Sequence, residues 1–252
     1  MTAKVDHTKI IAVASGKGGV GKTWFSVTLC HTLAQQGKRI LLFDGDLGLA
    51  NVDVQLGLSA KHDLQSVVEG KISLTRAVMR YEAGGFDIIA GRSGMGSLGA
   101  IPPQALQMIC DGLLALSASY DYLVIDLGAG VDRTVRQLAN LAATTLVVTT
   151  DEPTAITDAY AFVKLGRQAN PRADYRLVIN LVQTMAEGQR TAEALQQACK
   201  KFLGFTPGLA GIIRRDNKVR EAIRAQTPIL TRSPTSEAAT DVAKIVQVFR
   251  GQ

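Results

Sequence analysis

Eight consecutive residues, Gly16-Lys-Gly-Gly-Val-Gly-Lys-Thr23, constrain this chain more than any other feature. They fit the spacing G-x-x-x-x-G-K-[ST], a loop whose backbone N–H groups turn inward onto a polyphosphate. Gly16, Gly18, Gly19 and Gly21 remove the Cβ atoms that would block the approach, and Val20 sits among them. Lys22 brings a point charge to β- and γ-phosphates, and the Thr23 hydroxyl is suited to Mg²⁺. Lys17 is a second lysine inside the loop, where the pattern accepts any residue. The flanks give the loop its context. Residues 9–15 form a short apolar run that reads as a strand. Lys22 to Gln36, with Phe25, Val27, Leu29 and Leu33, reads as a helix closed by Gly37. Strand, loop and helix together aim a helix N-terminus at the phosphates. A plain glycine turn between two elements would not need the lysine and threonine.

Alternation continues along the chain. Apolar runs at Lys38–Asp44, Phe86–Gly91, Tyr122–Leu127, Thr145–Thr150 and Arg176–Leu181 read as strands covered on both faces. Between them, Pro103–Ser119, Asp132–Asn140, Ala155–Gln168 and Thr191–Leu203 read as helices. The expected fold is α/β, a doubly wound and mostly parallel sheet flanked by helices. Ligands of such sheets bind at the carboxyl ends of the strands. With 252 residues, 46% of them hydrophobic, residues 1–252 are expected to form one domain. Gly91 to Gly99 reads as a glycine-rich surface loop; as a second phosphate loop it lacks the lysine.

Nothing in the composition points to export. There is no leader pattern and no apolar run of roughly eighteen residues, so a cytoplasmic protein is expected. Cys30, Cys110 and Cys199 are isolated, which indicates neither a disulfide framework nor a cysteine metal site. A net charge of +6 permits an acidic partner such as DNA or an anionic bilayer, and equally serves solubility.

Carboxylates fall where phosphoryl chemistry needs them. Asp44 and Asp46 close the second strand, and Asp126 closes Tyr122–Leu127. At that edge Asp126 and Asp44 are candidates to hold Mg²⁺ or its waters. Strand-end aspartates also cap turns without further function, so it is their convergence on the loop that counts.

With these residues in view, the chain resembles the MinD/ParA group of P-loop ATPases with a deviant Walker A loop. The extra lysine at Lys17 is that group's mark. The segment Phe43-Asp-Gly-Asp-Leu-Gly-Leu-Ala-Asn-Val-Asp-Val-Gln-Leu-Gly57 and the segment Glu152-Pro-Thr-Ala-Ile-Thr-Asp-Ala-Tyr160 are most similar to the FlhG/FleN flagellar number regulators. The resemblance implies a homodimer that forms around ATP and returns to monomers after slow, Mg²⁺-dependent hydrolysis to ADP. It implies that Lys17 reaches the phosphates held by the other subunit and that Asp46 orients the attacking water. Trp24, Glu152 and Asn180 would border the nucleotide, with Asn180 at the adenine-reading position. The loop Ile213–Asp216 would form the other wall of the base pocket, through Arg214 and Asp216. Implied partners are a FlhF-like GTPase or another flagellar regulator. Relatives in division and partition add a MinD-type septum regulator and a ParA-type DNA or cargo ATPase as alternative readings.

The chain departs from the group in several places. Only Met1 to Thr8 precede the first strand, where FlhG proteins usually carry a Gln-rich activating segment. Ile213-Arg-Arg-Asp216 lacks the proline usual in the adenine loop. Trp24 stands where a small or polar residue is more common. Ser236–Arg250 carries Val242, Ile245, Val246 and Phe249 on one stripe. That stripe suits either the last core helix or a helix lying on the membrane, and few basic residues flank it, which favours the core. Arg214, Arg215, Lys218, Arg220 and Arg224 form a basic cluster suited to nonspecific DNA contacts or to the nucleotide pocket itself.

Overall fold

A computed structural model describes residues 7–47, 51–58, 64–91 and 101–250, without the side chains of residues 7 and 248–250. Residues 48–50 of the Phe43–Gly57 segment and 92–100 of the glycine-rich loop lie outside the described residues.

In chain order the elements are β1 (Ile10–Ser15), α1 (Lys22–Gln35), β2 (Ile40–Gly45), α2 (Val52–Leu56), α3 (Leu64–Val68), β3 (Met79–Tyr81) and β4 (Phe86–Ile89). Then follow α4 (Pro103–Ser117), β5 (Tyr122–Ala129), α5 (Arg133–Ala139), β6 (Thr144–Thr149), α6 (Pro153–Ala169), β7 (Asp174–Val182) and α7 (Met185–Leu203). The chain finishes with β8 (Gly208–Arg214), α8 (Asn217–Arg224), α9 (Ile229–Arg232) and α10 (Glu237–Arg250). The strands make one sheet in the order β3-β4-β2-β5-β1-β6-β7-β8. Every pair is parallel except β3 with β4. The expected doubly wound sheet is therefore present, with one antiparallel strand added at an edge. β1 lies inside, between β5 and β6, and a crevice at its carboxyl end is where such a sheet takes a ligand.

Alternate side chains of the strands feed two cores. Ile11, Val13, Leu42 and Val124 pack with Phe25 and Leu29 of α1 and with Val242, Ile245 and Val246 of α10. Ile10, Ala12, Phe43 and Ile125 pack with Leu106 and Leu113 of α4, Phe162 of α6 and Leu195 of α7. Burying a Leu, Ile or Phe side chain contributes about 1.5–3 kcal/mol, so two continuous cores fix the sheet between its layers. The three cysteines are buried among these apolar groups.

Three of the four stripe residues on α10 are spent on this packing, and the side chain of Phe249 lies outside the described ones. Val242, Ile245 and Val246 are at most 1% exposed. α10 comes so close to β8 that a Cβ on Gly211 would lie 2.4 Å from Ile245. Among the described residues no helix is long and apolar enough to cross a membrane. β8 and α7 are among the elements that differ from their sequence reading. β8 takes up Ile213 and Arg214, which the sequence pattern gives as loop; its glycines weaken the strand signal, and Gly211 leaves room for Ile245 of α10. α7 begins six residues before Thr191, because Thr184 accepts the N–H of Glu187 at 3.2 Å while Glu187 accepts that of Thr184 at 3.1 Å, a reciprocal cap.

Candidate functional site

The loop between β1 and α1 is shaped by positive φ. Gly19 (81°) and Gly21 (87°) are left-handed, a region that glycine alone enters without cost. At Gly21 there is no room either, since an added Cβ would lie 2.4 Å from Asn180 Nδ2. That amide, 2% exposed, donates to the Val20 carbonyl at 2.8 Å and so ties the loop to the end of β7. Gly16 is equally constrained, its Cβ position lying 2.2 Å from the Asp158 carbonyl oxygen of α6.

Beneath the loop sits a buried ion pair. Lys22 Nζ is 3.3 Å from Asp126 Oδ1, with side chains 9% and 2% exposed. Ser26 donates to the same oxygen at 2.8 Å. Ser26 was absent from the sequence reading, although it lies one helical turn beyond Lys22 and on the same face. Charges this far from water are retained only when paired and hydrogen-bonded, and both conditions are met.

Asp44 and Asp126 are direct partners on neighbouring strands, yet their surroundings differ. Asp44 is fully buried and accepts backbone N–H groups of Asp46, Asn51 and Val52, each at 3.2 Å. Burial, then the adjacent Asp126 charge, push its carboxyl up from 3.8 to about 7. Asp44, a candidate for the metal, thus holds both Asp46 and the start of α2. Asp46 follows the strand end, and its carboxylate lies 3.7 Å from the Cβ position of Gly128 at the end of β5.

Lys17 lies on the open side of the loop. Its ammonium bonds Glu152 Oε2 and Thr154 Oγ1, both at 2.9 Å, at the start of α6. The lysine, and at longer range Arg215, hold the Glu152 carboxyl below its ordinary value. Lys17 therefore faces its own chain here, and Thr154 is a contact the sequence did not announce.

Beside the loop is a cleft of about 220 Å³. Gly19, Gly21, Trp24, Asn180, Ile213 and Ile223 line it. Leu181, also in the wall, has φ 61°, a strained value for a bulky residue. The expected wall residues are present but committed. Arg214 spends its guanidinium on Asp241, through Nε and Nη2 at 2.9 Å each, and on Glu237. Asp216 caps α8 through the Lys218 N–H at 2.8 Å and accepts the Ala238 N–H at 3.2 Å. Their side chains thus fasten the cleft wall to α10. Arg215, Arg220 and Arg224 are exposed.

The site so built brings Lys17, Lys22, Thr23, Asp44, Asp46, Asp126 and Asn180 to one sheet edge. Its left-handed glycines form an anion cradle, and Thr23 with the carboxylates offers the hard oxygen ligands that Mg²⁺ takes. Comparison with known proteins gives the same direction. The family model described as the CobQ/CobB/MinD/ParA nucleotide binding domain matches residues 11–229. The antiactivator FleN of Pseudomonas aeruginosa is 37% identical over 95% of this chain and 85% of that protein. The flagellum site-determining protein YlxH of Helicobacter pylori is 37% identical over 88% of this chain and 77% of its own. Among solved structures, the septum site-determining protein MinD of Pyrococcus horikoshii, complexed with Mg-ADP, superposes with a TM-score of 0.80 at 24% identity. That alignment covers 96% of this chain and 95% of the other.

Proposed function

The chain belongs to the CobQ/CobB/MinD/ParA nucleotide-binding family, and on that premise we propose that it is an ATP-dependent dimerisation switch with slow hydrolysis, controlling the number or placement of polar flagella. The observation that carries this reading is Lys17. It is 38% exposed, and its partner Glu152 is 63% exposed. An ion pair at such a surface contributes about 0–1 kcal/mol, so Lys17 can exchange Glu152 for phosphate oxygens of a second copy at little cost. A lysine buried in its own subunit could not do this.

The other residues follow from their places. Backbone N–H groups of 16–23 and Lys22 bind the β- and γ-phosphates. Thr23 and Asp126 would hold Mg²⁺, which neutralises phosphate charge when bound. Asp46 orients the attacking water, and Asp44 acts through the segment it anchors. The cleft lined by Asn180 and Ile213 takes the adenine. The names of FleN and YlxH support a flagellar output, executed through a partner protein such as a FlhF-like GTPase or a transcriptional regulator. Deleting the gene in its host and counting flagella per cell tests this; altered number or position is expected. Normal flagellation with misplaced septa or lost chromosomes would instead assign the chain to division or partition.

A further inference from the structure

Trp24, the chain's single tryptophan, stands one residue beyond the phosphate loop and is 5% exposed. It separates two spaces. One is the 220 Å³ cleft. The other is a void of about 10 Å³ between α1, α2, α8 and the start of α9, bordered by Gln55, Leu56, Ala222 and Ile229. A void of that size holds one water at most. Ile223 borders both spaces as well. The indole Nε1 is buried without a hydrogen-bond partner, unusual for a donor in a packed region.

The helix on the far side of this wall is held from two directions. Asp44 accepts the N–H groups of Asn51 and Val52 at the start of α2. Gln226, just past α8, donates Nε2 to the Val54 carbonyl at 3.0 Å. The Gln226 side chain also lies 2.9 Å from the Cβ position of Gly57. Gln226 has φ 48°, a conformation that a non-glycine residue keeps only when its surroundings enforce it. One wall of packed side chains thus joins the cleft to α2, and Asp44, which accepts the N–H groups of Asn51 and Val52, also accepts that of Asp46.

We propose that Trp24, with Ile223 and Gln226, is a positioning device through which the base, rather than the terminal phosphate, fixes α2. The inference rests on reading the cleft as the base site. Close-packed side chains shift between discrete arrangements rather than yielding continuously. A base in the cleft presses on Trp24 and Ile223 from one side and closes the void on the other. Any adenine nucleotide, ADP included, then orders residues 51–58, whereas a polyphosphate without the base does not. Asp46 is thereby preset as soon as nucleotide binds.

Hydrogen exchange of residues 51–58 in the full chain, with Mg-ADP and with Mg-pyrophosphate at concentrations shown by calorimetry to saturate, tests the coupling. ADP is expected to slow exchange there and to change Trp24 fluorescence, and pyrophosphate to do neither. Gln226 lines neither space, so Gln226→Ala should bind ADP yet lose about fivefold of the protection, the size of one neutral hydrogen bond. Protection by pyrophosphate equal to that by ADP, no protection by bound ADP, or full protection in Gln226→Ala would each overturn the coupling. Failure of ADP to bind the wild-type chain would overturn the base-site reading instead.

Discussion

The phosphate loop is one stretch of chain, residues 16 to 23, whereas the cleft beside it is assembled from segments as far apart as Trp24, Asn180, Ile213 and Ile223. The loop takes its shape from backbone, through left-handed Gly19 and Gly21. The cleft takes its shape from side chains, through Arg214 bound to Asp241 and Glu237 and through Asp216 capping α8. A backbone cradle presents identical N–H donors whatever surrounds it, which suits a ligand group that never varies. A side-chain wall can be repacked one residue at a time, and here Trp24 and Arg214 are two of the residues that build it.

That contrast predicts unequal responses to substitution. Lys22→Ala should have the largest effect. It removes the ammonium proposed to bind phosphate and leaves Asp126 buried with Ser26 as its remaining side-chain partner. Stability should fall by about 3 kcal/mol and ADP affinity by at least about a hundredfold, checked by thermal melting and calorimetry. Arg214→Ala should be milder. Asp241, 1% exposed, keeps Lys244 at 3.5 Å, so a loss of about 2 kcal/mol is expected, with ADP affinity falling less than for Lys22→Ala. Equal losses of affinity in the two variants would mean that loop and cleft are not separate parts.

A smaller effect separates the two strand-end aspartates. The folded Asp44 carboxyl titrates at about 7, against an ordinary 3.8. Between these values the folded state holds a proton that the unfolded chain has released. Stability should therefore decline as pH rises from about 4 to 7, by at most about 1.4 kcal/mol per pH unit from this group, and level off above. Denaturant melts of the nucleotide-free protein with chelator present measure the slope. Asp44→Asn should flatten it; an unchanged slope in that variant would assign it to another group.

The same division explains what was legible in the sequence. The loop was readable because its residues are adjacent and its glycines mark positive φ directly. β1, β2, β4, β5, β6 and β7 were readable as apolar runs, since parallel strands are covered on both faces. β3 is three residues long, too short for any periodicity, and β8 was hidden by a glycine that exists to admit Ile245 of α10. The start of α7 is written in Thr184 and Glu187, a capping pair visible in the sequence as T-x-x-E. Asn180 was placed correctly at a strand end, but its bond to Val20 spans the fold. The strain at Leu181 and Gln226, the pairing of Ser26 with Asp126 and the commitment of Arg214 to α10 depend on residues distant in sequence. No local pattern encodes them.

The central claim is that Lys17 leaves Glu152 and Thr154 to join two copies of the chain around ATP. Light scattering of wild type and Lys17→Ala, each with Mg-ADP and then with Mg-ATP, tests it most directly. Wild type should be monomeric with ADP and dimeric with ATP, while Lys17→Ala should bind ATP and stay monomeric. A dimer of unchanged mass in the Lys17→Ala protein would contradict the account.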